Sequence, residues 1–107
     1  MLFKVLLTHD AIHDLEALYD YIAQQDTYKK ADYVLDEIQN AFSKLSEFPE
    51  RGSYPKELLE LGIREYREIF FKPYRIIYRI IDIQVYILMI VDGRRDMQSL
   101  LQRRLLG

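Results

Sequence analysis

The stretch from Ile63 to Asp96 constrains the fold most, because three strand-like runs follow one another there. Its β-branched and aromatic residues favour extended chain and recur through three runs, residues 64–71, 74–81 and 84–91. Lys72 and Pro73 end the first run, since proline cannot donate a ladder hydrogen bond. Asp82 and Ile83 form a tight turn without the usual glycine. The third run is apolar on both faces, which is typical of a central strand.

The N-terminal part predicts one strand and a helical hairpin. Residues 2–7 form a short apolar run that we interpret as a strand. Apolar residues then recur at helical spacing up to about Gln25 and again from Ala31 to Leu45. Thr8 can cap the first of these helices. Because the connection between the helices is short, residues 8–47 are predicted to form an antiparallel hairpin.

The remaining segments complete an α+β domain. Residues 48–62 contain two prolines and two glycines, and they predict a turn-rich joint with one short helical turn. Asp96 can cap a last helix over residues 97–106. The predicted order is β-α-α-β-β-β-α. We predict a single domain over residues 1–107, in which the helical hairpin packs on a mainly antiparallel four-stranded sheet beside a short C-terminal helix.

Charge is divided unevenly along the chain. Residues 1–60 carry six lysines and arginines against twelve acids, whereas residues 61–107 carry nine against five. Eight of those nine cations are arginines, which pair with carboxylate or phosphate in a bidentate way. The net charge of −2 does not favour a nucleic-acid-binding protein, for which a strongly basic domain is expected.

Several functional classes have no support in the sequence. Without cysteine there is no thiol nucleophile or disulfide, and no apolar run reaches the roughly 18 residues of a membrane span. We expect no signal peptide and a cytoplasmic location. His9 and His13 are one helical turn apart, but solvated histidines explain them better than a metal site. The common nucleotide and hydrolase motifs are missing, so we expect neither metal nor cofactor.

The arginines of the opening stretch are the candidate site. Arg75 and Arg79 lie four residues apart on one strand, which places them on one face and about 13 Å apart. Such arginines can bind a phosphate or the carboxylates of a partner. They can equally pair with neighbouring acids and solubilise the sheet, and the pattern leaves both interpretations open. The candidates for partner binding are Arg64, Arg67, Arg75, Arg79, Arg94 and Arg95.

The nine tyrosines are the other excess in the composition. Tyr19, Tyr74 and Tyr78 fall on apolar faces and are predicted to be core residues with hydroxyls at its rim. Tyr78 and Tyr86 have an alternative role as stacking or acid–base groups beside the arginines. We favour the core interpretation.

Two runs of the chain resemble the RelE/ParE superfamily of toxins from type II toxin–antitoxin systems. They are REYREIFFKPYRIIYRI at residues 64–80 and IVDGRRD at residues 90–96, and the helical hairpin and last helix agree in order and length. The resemblance implies a compact bacterial toxin, neutralised by a co-expressed antitoxin in a toxin–antitoxin hetero-oligomer. It also implies the growth inhibition and plasmid stabilisation associated with such systems.

The resemblance offers two kinds of activity. Ribonuclease members cut messenger RNA on the ribosome, and Arg75 and Arg95 match two of their basic positions, with Arg67 on the preceding strand where two lysines are expected. Their aromatic position in the final helix falls at about Leu101, which can neither stack nor transfer a proton. We therefore favour the ParE-like branch, a non-catalytic toxin that inhibits DNA gyrase.

Two alternatives remain beside the gyrase inhibitor. One is a ribosome-dependent mRNA endoribonuclease that uses Arg67, Arg75 and Arg95. The other is a non-toxic protein of the same fold that serves as the antitoxin's partner or co-repressor. In each case a disordered antitoxin tail is expected to fold onto an exposed strand edge and the groove beside the hairpin. Arg75, Arg79 and Arg95 are then expected to contact its acidic residues.

Overall fold

The computed structural model describes residues 2–106 and has the predicted order of elements. The strands are β1 (Lys4–Leu7), β2 (Arg67–Phe71), β3 (Tyr74–Ile81) and β4 (Gln84–Asp92). The helices are α1 (His9–Gln25), α2 (Tyr28–Ser43), the single turn α3 (Lys56–Leu59) and α4 (Met97–Leu101). A 3₁₀ turn (Lys44–Ser46) follows α2, and a π-helical turn (Gln102–Leu106) follows α4. The α+β class is confirmed.

The helices begin where the sequence places their caps. The Thr8 hydroxyl accepts a hydrogen bond from the Ala11 amide at 3.2 Å, and Asp96 accepts one from the Ser99 amide at 3.3 Å. Thr27 caps α2 in the same way. Because only Asp26 and Thr27 separate α1 from α2, the two helices form the predicted hairpin.

The sheet has the order β1-β4-β3-β2, with β1 parallel to β4 and the other pairs antiparallel. β4 is therefore central, as its apolar sequence predicts. The β3–β4 turn needs no glycine because Asp82 adopts a left-handed φ of 56°, and aspartate tolerates that region better than most residues. A bulge interrupts β4: Ile77 pairs with Met89 and Tyr78 with Ile87, which leaves Leu88 without a partner on β3.

Each face of the sheet packs on its own core. The alternation predicted for β3 is confirmed: Ile76 and Tyr78 pack against the helical hairpin, whereas Ile77 lies on the opposite face. That opposite face, called here the far face, is covered by α3, α4 and residue Tyr66. Within residues 2–106, no helix is both long enough and apolar enough to cross a membrane.

Three predicted boundaries differ from the structure. β1 starts at Lys4 rather than at residue 2, and β2 starts at Arg67 rather than at residue 64. β2 starts late because its ladder with β3 begins at the Arg67–Tyr78 pair. Tyr66, just before it, is buried in the far-face core with Leu58 and Met97. The C-terminal segment is a short α-helix followed by a wider turn instead of one continuous helix.

Leu101 is fully buried in the far-face core, with 0% of its surface exposed. Replacing it with alanine leaves a cavity, and we expect Leu101→Ala to lower the free energy of unfolding by about 2–5 kcal/mol. Leu106→Ala, at an exposed position nearby, should change it by less than about 0.5 kcal/mol. Urea denaturation measures both, and equal effects would contradict the burial of Leu101.

Candidate functional site

Arg75, the central arginine of the candidate set, is buried between two carboxylates. Its Nε donates to Glu68 Oε1 at 2.7 Å, and its two terminal nitrogens donate to the two oxygens of Glu57 at 2.8 Å each. The residue is 8% exposed. The Arg75 guanidinium lowers the pKa of Glu57, whereas burial raises the pKa of Glu68. Pairing with both acids raises the pKa of Arg75 itself, so the guanidinium stays charged.

Three elements place this ion cluster, which we call the Arg75 triad (Arg75, Glu57 and Glu68). The pairing register puts Glu68 on β2 and Arg75 on β3 on the same far face, and α3 brings Glu57 over them. Gly93 makes room for the arginine stem, because a Cβ atom there would lie 2.7 Å from Arg75 Cδ. The triad therefore anchors α3 to the sheet.

The triad has little capacity left for a phosphate. One guanidinium faces two carboxylates, so an incoming anion would meet a cluster with net negative charge. Arg75 already directs its Nε and both terminal nitrogens to protein oxygens. A permanently protonated guanidinium is also a poor general base.

Arg67 lies on the other face of the sheet. It is paired with Tyr78 across the strands, which puts its side chain on the hairpin face, opposite Arg75. Its guanidinium donates to the carbonyls of Glu50 and Gly52 at 3.2 and 2.9 Å and lies 4.6 Å from the ring centroid of Tyr54. The structure therefore does not bring Arg67 and Arg75 together.

Tyr78 is a core residue that joins β3 to the joint at residues 49–52. Its ring is fully buried, and its hydroxyl donates to the Pro49 carbonyl at 2.6 Å while accepting from the Gly52 amide at 3.0 Å. Burial raises its pKa. A Cβ atom at Gly52 would lie 2.6 Å from the tyrosine oxygen, so this approach requires glycine. The acid–base role considered for Tyr78 is incompatible with this burial.

The other aromatic candidates are more accessible. Tyr86 is half-buried and donates to the Gln84 side chain. It borders a far-face cleft of about 340 Å³ together with Arg79 and Arg104. Tyr19 donates to Asp32 at 2.7 Å, an interaction that raises the pKa of Tyr19. Tyr74 is half-buried beside the end of β4.

The remaining arginines differ in their pairing. Arg79 approaches Glu65 at 3.6 Å on the surface, and Arg94 binds Asp92 in a bidentate way at 2.6 and 3.0 Å. Arg64 and Arg95 are exposed, and neither forms an ion pair with another residue in the described range 2–106. Pairing with neighbouring acids is thus observed for Arg75, Arg79 and Arg94. The binding of a partner by the arginine set stays a prediction.

Sequence reasoning missed a second ion cluster, which joins α1 to the C-terminal turn. Arg104 donates to both oxygens of Asp14 at 3.1 and 3.0 Å and to the carbonyl of Leu88 at 3.1 Å. Asp14 also accepts from the amide of Ile90 at 3.0 Å. The two charged residues are 90 positions apart, so no local spacing could indicate the contact. His9 and His13 join no group of three potential metal ligands among the described residues.

Two of the clefts that border the helical hairpin lie against the strands β4 and β2 and open to solvent. One of about 460 Å³ lies between α1 and the end of β4 and includes Tyr21, Tyr74 and Arg95. Another, of about 430 Å³, lies between α2 and the edge strand β2, where Phe70 is 48% exposed. Both combine apolar walls with charged rims, as protein-binding sites do.

A family model described as the ParE toxin of the type II toxin–antitoxin system parDE matches residues 5–97. The chain belongs to the ParE toxin family. Toxin ParE3 of Caulobacter vibrioides is 29% identical over 101 residues, which cover 94% of this chain and 97% of that protein. The fold class and the resemblance to the superfamily are thus confirmed, and the ParE-like branch fits.

Two solved structures have a similar fold. A chain of the chromosomal ParDE system from P. aeruginosa superposes with a TM-score of 0.71 at 19% identity, covering 85% of this chain and 96% of that one. A chain of the RelBE2 toxin–antitoxin complex from Mycobacterium tuberculosis gives a TM-score of 0.56 at 26% identity, covering 86% and 92%.

The Arg75 triad should make the free energy of unfolding depend on pH. A lowered folded-state pKa of Glu57 stabilises the protein above the unfolded pKa of about 4.3, and this stabilisation is lost as the pH falls through the folded value. We expect Glu57→Gln to cost about 1–3 kcal/mol at pH 7 and progressively less below about pH 4. Glu68, whose pKa is shifted in the opposite direction, is present in both proteins.

Urea denaturation from pH 7 to pH 3 measures this difference. Glu60→Gln, at an exposed position just after α3, is the matched control and should follow the wild type at each pH. A constant difference between wild type and Glu57→Gln over the whole range would contradict the assignment.

Proposed function

We propose that this member of the ParE toxin family inhibits DNA gyrase in the bacterial cytoplasm and is neutralised by a cognate antitoxin. The observation that carries the choice of target is the Arg75 triad. In the ribonuclease branch a basic residue at this position would stabilise developing charge, but here two glutamates neutralise it. A toxin of this kind acts by binding rather than by catalysis.

Leu101 supports the same proposal. The ribonuclease pattern expects an aromatic residue near this position, where it can reach RNA. The Leu101 side chain is instead buried in the far-face core beside Met97 and Leu100. An aromatic ring there would have to displace part of that core, and overpacking of this kind is destabilising.

An antitoxin partner is supported by family membership and by the surface of the chain. The two solved structures with a similar fold come from a chromosomal ParDE system and from a RelBE2 toxin–antitoxin complex. Arg64 and Arg95 are exposed cations without an acidic partner in residues 2–106, and the two clefts beside the hairpin have apolar walls. An acidic, amphipathic antitoxin tail would complement both features.

Two assays run in parallel test the target. Purified protein is added to gyrase in a DNA supercoiling assay and to translating ribosomes in a messenger RNA cleavage assay. We expect inhibition of supercoiling without cleavage of RNA. Cleavage without gyrase inhibition would instead establish the endoribonuclease alternative.

The complex with the antitoxin is the control for both assays. The product of the neighbouring reading frame, added in equimolar amount, should restore supercoiling. If the protein is inactive in both assays but binds that product tightly, it is a non-toxic partner of the antitoxin and the proposed target is wrong.

A further inference from the structure

The central strand β4 is longer than its parallel neighbour β1. β1 pairs with Gln84–Ile87, and the last bond of this ladder runs from the Thr8 amide to the Ile87 carbonyl at 3.0 Å. After Thr8 the chain leaves the sheet and forms α1, whereas β4 continues to Asp92. Among residues 2–106, no strand therefore covers the outer edge of residues 88–92.

Side chains cover the first part of this edge. The Leu88 carbonyl accepts from Arg104, and the Ile90 amide donates to Asp14. Because Arg104 and Asp14 also bind each other, the two charges neutralise one another there. The Asp14–Arg104 pair thus takes the place of a strand at residues 88–90.

The second part of the edge is open. The Ile90 amide donates to Asp14, so the backbone amide and carbonyl of Ile90 point away from β3. By alternation, the backbone groups of Asp92 also point away from β3. The Asp92 carbonyl accepts from the Arg95 amide at 3.2 Å. This leaves two backbone groups without a partner among the described residues, the carbonyl of Ile90 and the amide of Asp92.

These two groups match what a parallel strand requires. In parallel pairing, one residue donates its amide to one carbonyl of the neighbouring strand and accepts from the amide two residues further on. An antiparallel partner would need the Ile90 amide, which Asp14 occupies. An added strand is therefore expected to run parallel to β4, as β1 does.

The open edge forms one wall of the cleft of about 460 Å³ between α1 and β4. Ala17 and Leu18 form its apolar side. Asp14 is paired with Arg104 and Asp92 with Arg94, so Arg95 contributes the cleft's uncompensated charge. A strand parallel to β4 would bring its C-terminal end toward Arg95.

We infer that this cleft, here called the β4 slot, binds an extended segment of the antitoxin by strand addition parallel to β4. The segment presents an apolar residue to Ala17 and Leu18, followed by a carboxylate that pairs with Arg95. The inference rests on the proposed function for its partner. It adds the site, the direction of the bound chain and the order of its side chains.

Amide hydrogen exchange tests the backbone part directly. The probe is the product of the neighbouring reading frame in purified complex with the full chain. We expect the Asp92 amide to exchange at least about tenfold more slowly in the complex, because it gains an acceptor. Unchanged exchange at Asp92 in a saturated complex would overturn the inference, while the proposed antitoxin partnership would stand.

Two pairs of variants test the side chains of the β4 slot. Ala17→Trp fills the slot from an exposed position, and Gln24→Trp places the same ring elsewhere on α1. Arg95→Glu reverses the charge in the slot, and Arg103→Glu does so at an exposed site outside its lining. We expect Ala17→Trp and Arg95→Glu each to weaken binding about tenfold or more, with unchanged melting temperature, and the two controls to bind like wild type.

Equal affinities within both pairs would reject the slot as the binding site. If Gln24→Trp and Arg103→Glu also lose binding, the contact lies elsewhere, and the β4 slot is rejected as the binding site in that case too. If the wild-type chain does not bind the neighbouring product at all, the proposed antitoxin partnership fails, and the assignment of the slot to that partner fails with it.

Discussion

The far face of the sheet depends on a single buried guanidinium. Arg75 connects β3 to β2 through Glu68 and to α3 through Glu57, and Gly93 leaves space for its stem. Removing the guanidinium would leave both carboxylates without a compensating charge, which typically costs about 3–5 kcal/mol. Removing one carboxylate costs less, because the other stays paired with Arg75. Arginine suits this position because its planar fork can bind one carboxylate in a bidentate way and still donate to a second.

The bulge at Leu88 helps to attach the C-terminal turn to the edge of β4 that faces away from β3. It turns the Leu88 carbonyl outward, where Arg104 reaches it, and it changes which residues of β4 face the helical hairpin. Ile87 and Ile90 can both pack on the hairpin because the bulge lies between them. The C-terminal turn is thereby attached to α1 and β4 through polar contacts, beside the apolar packing of α4.

Periodicity was sufficient to predict the elements of this fold and the side of the sheet on which each residue of β3 lies. Arg75 and Arg79 do share the far face, as their spacing indicates. Their environments differ because of acids that are distant in sequence: Glu57 lies 18 residues from Arg75. Asp14 and Arg104 are further apart still. Local patterns report which face a residue occupies, but they carry no information about which charge the fold brings to it.

The two sides of the sheet differ in which groups they leave accessible. On the far face, α3, α4 and the Arg75 triad close the surface around the position that the ribonuclease branch would use. On the hairpin side, β4 keeps unpaired backbone groups beside Arg95, in a cleft whose apolar side is formed by Ala17 and Leu18. Catalysis needs precisely placed charges that can reach a substrate, whereas binding needs apolar area, backbone donors and acceptors, and a few accessible charges. This chain leaves apolar area, backbone groups and a few charges accessible, and these are the features that binding needs. For that reason we propose that the protein acts through protein contacts.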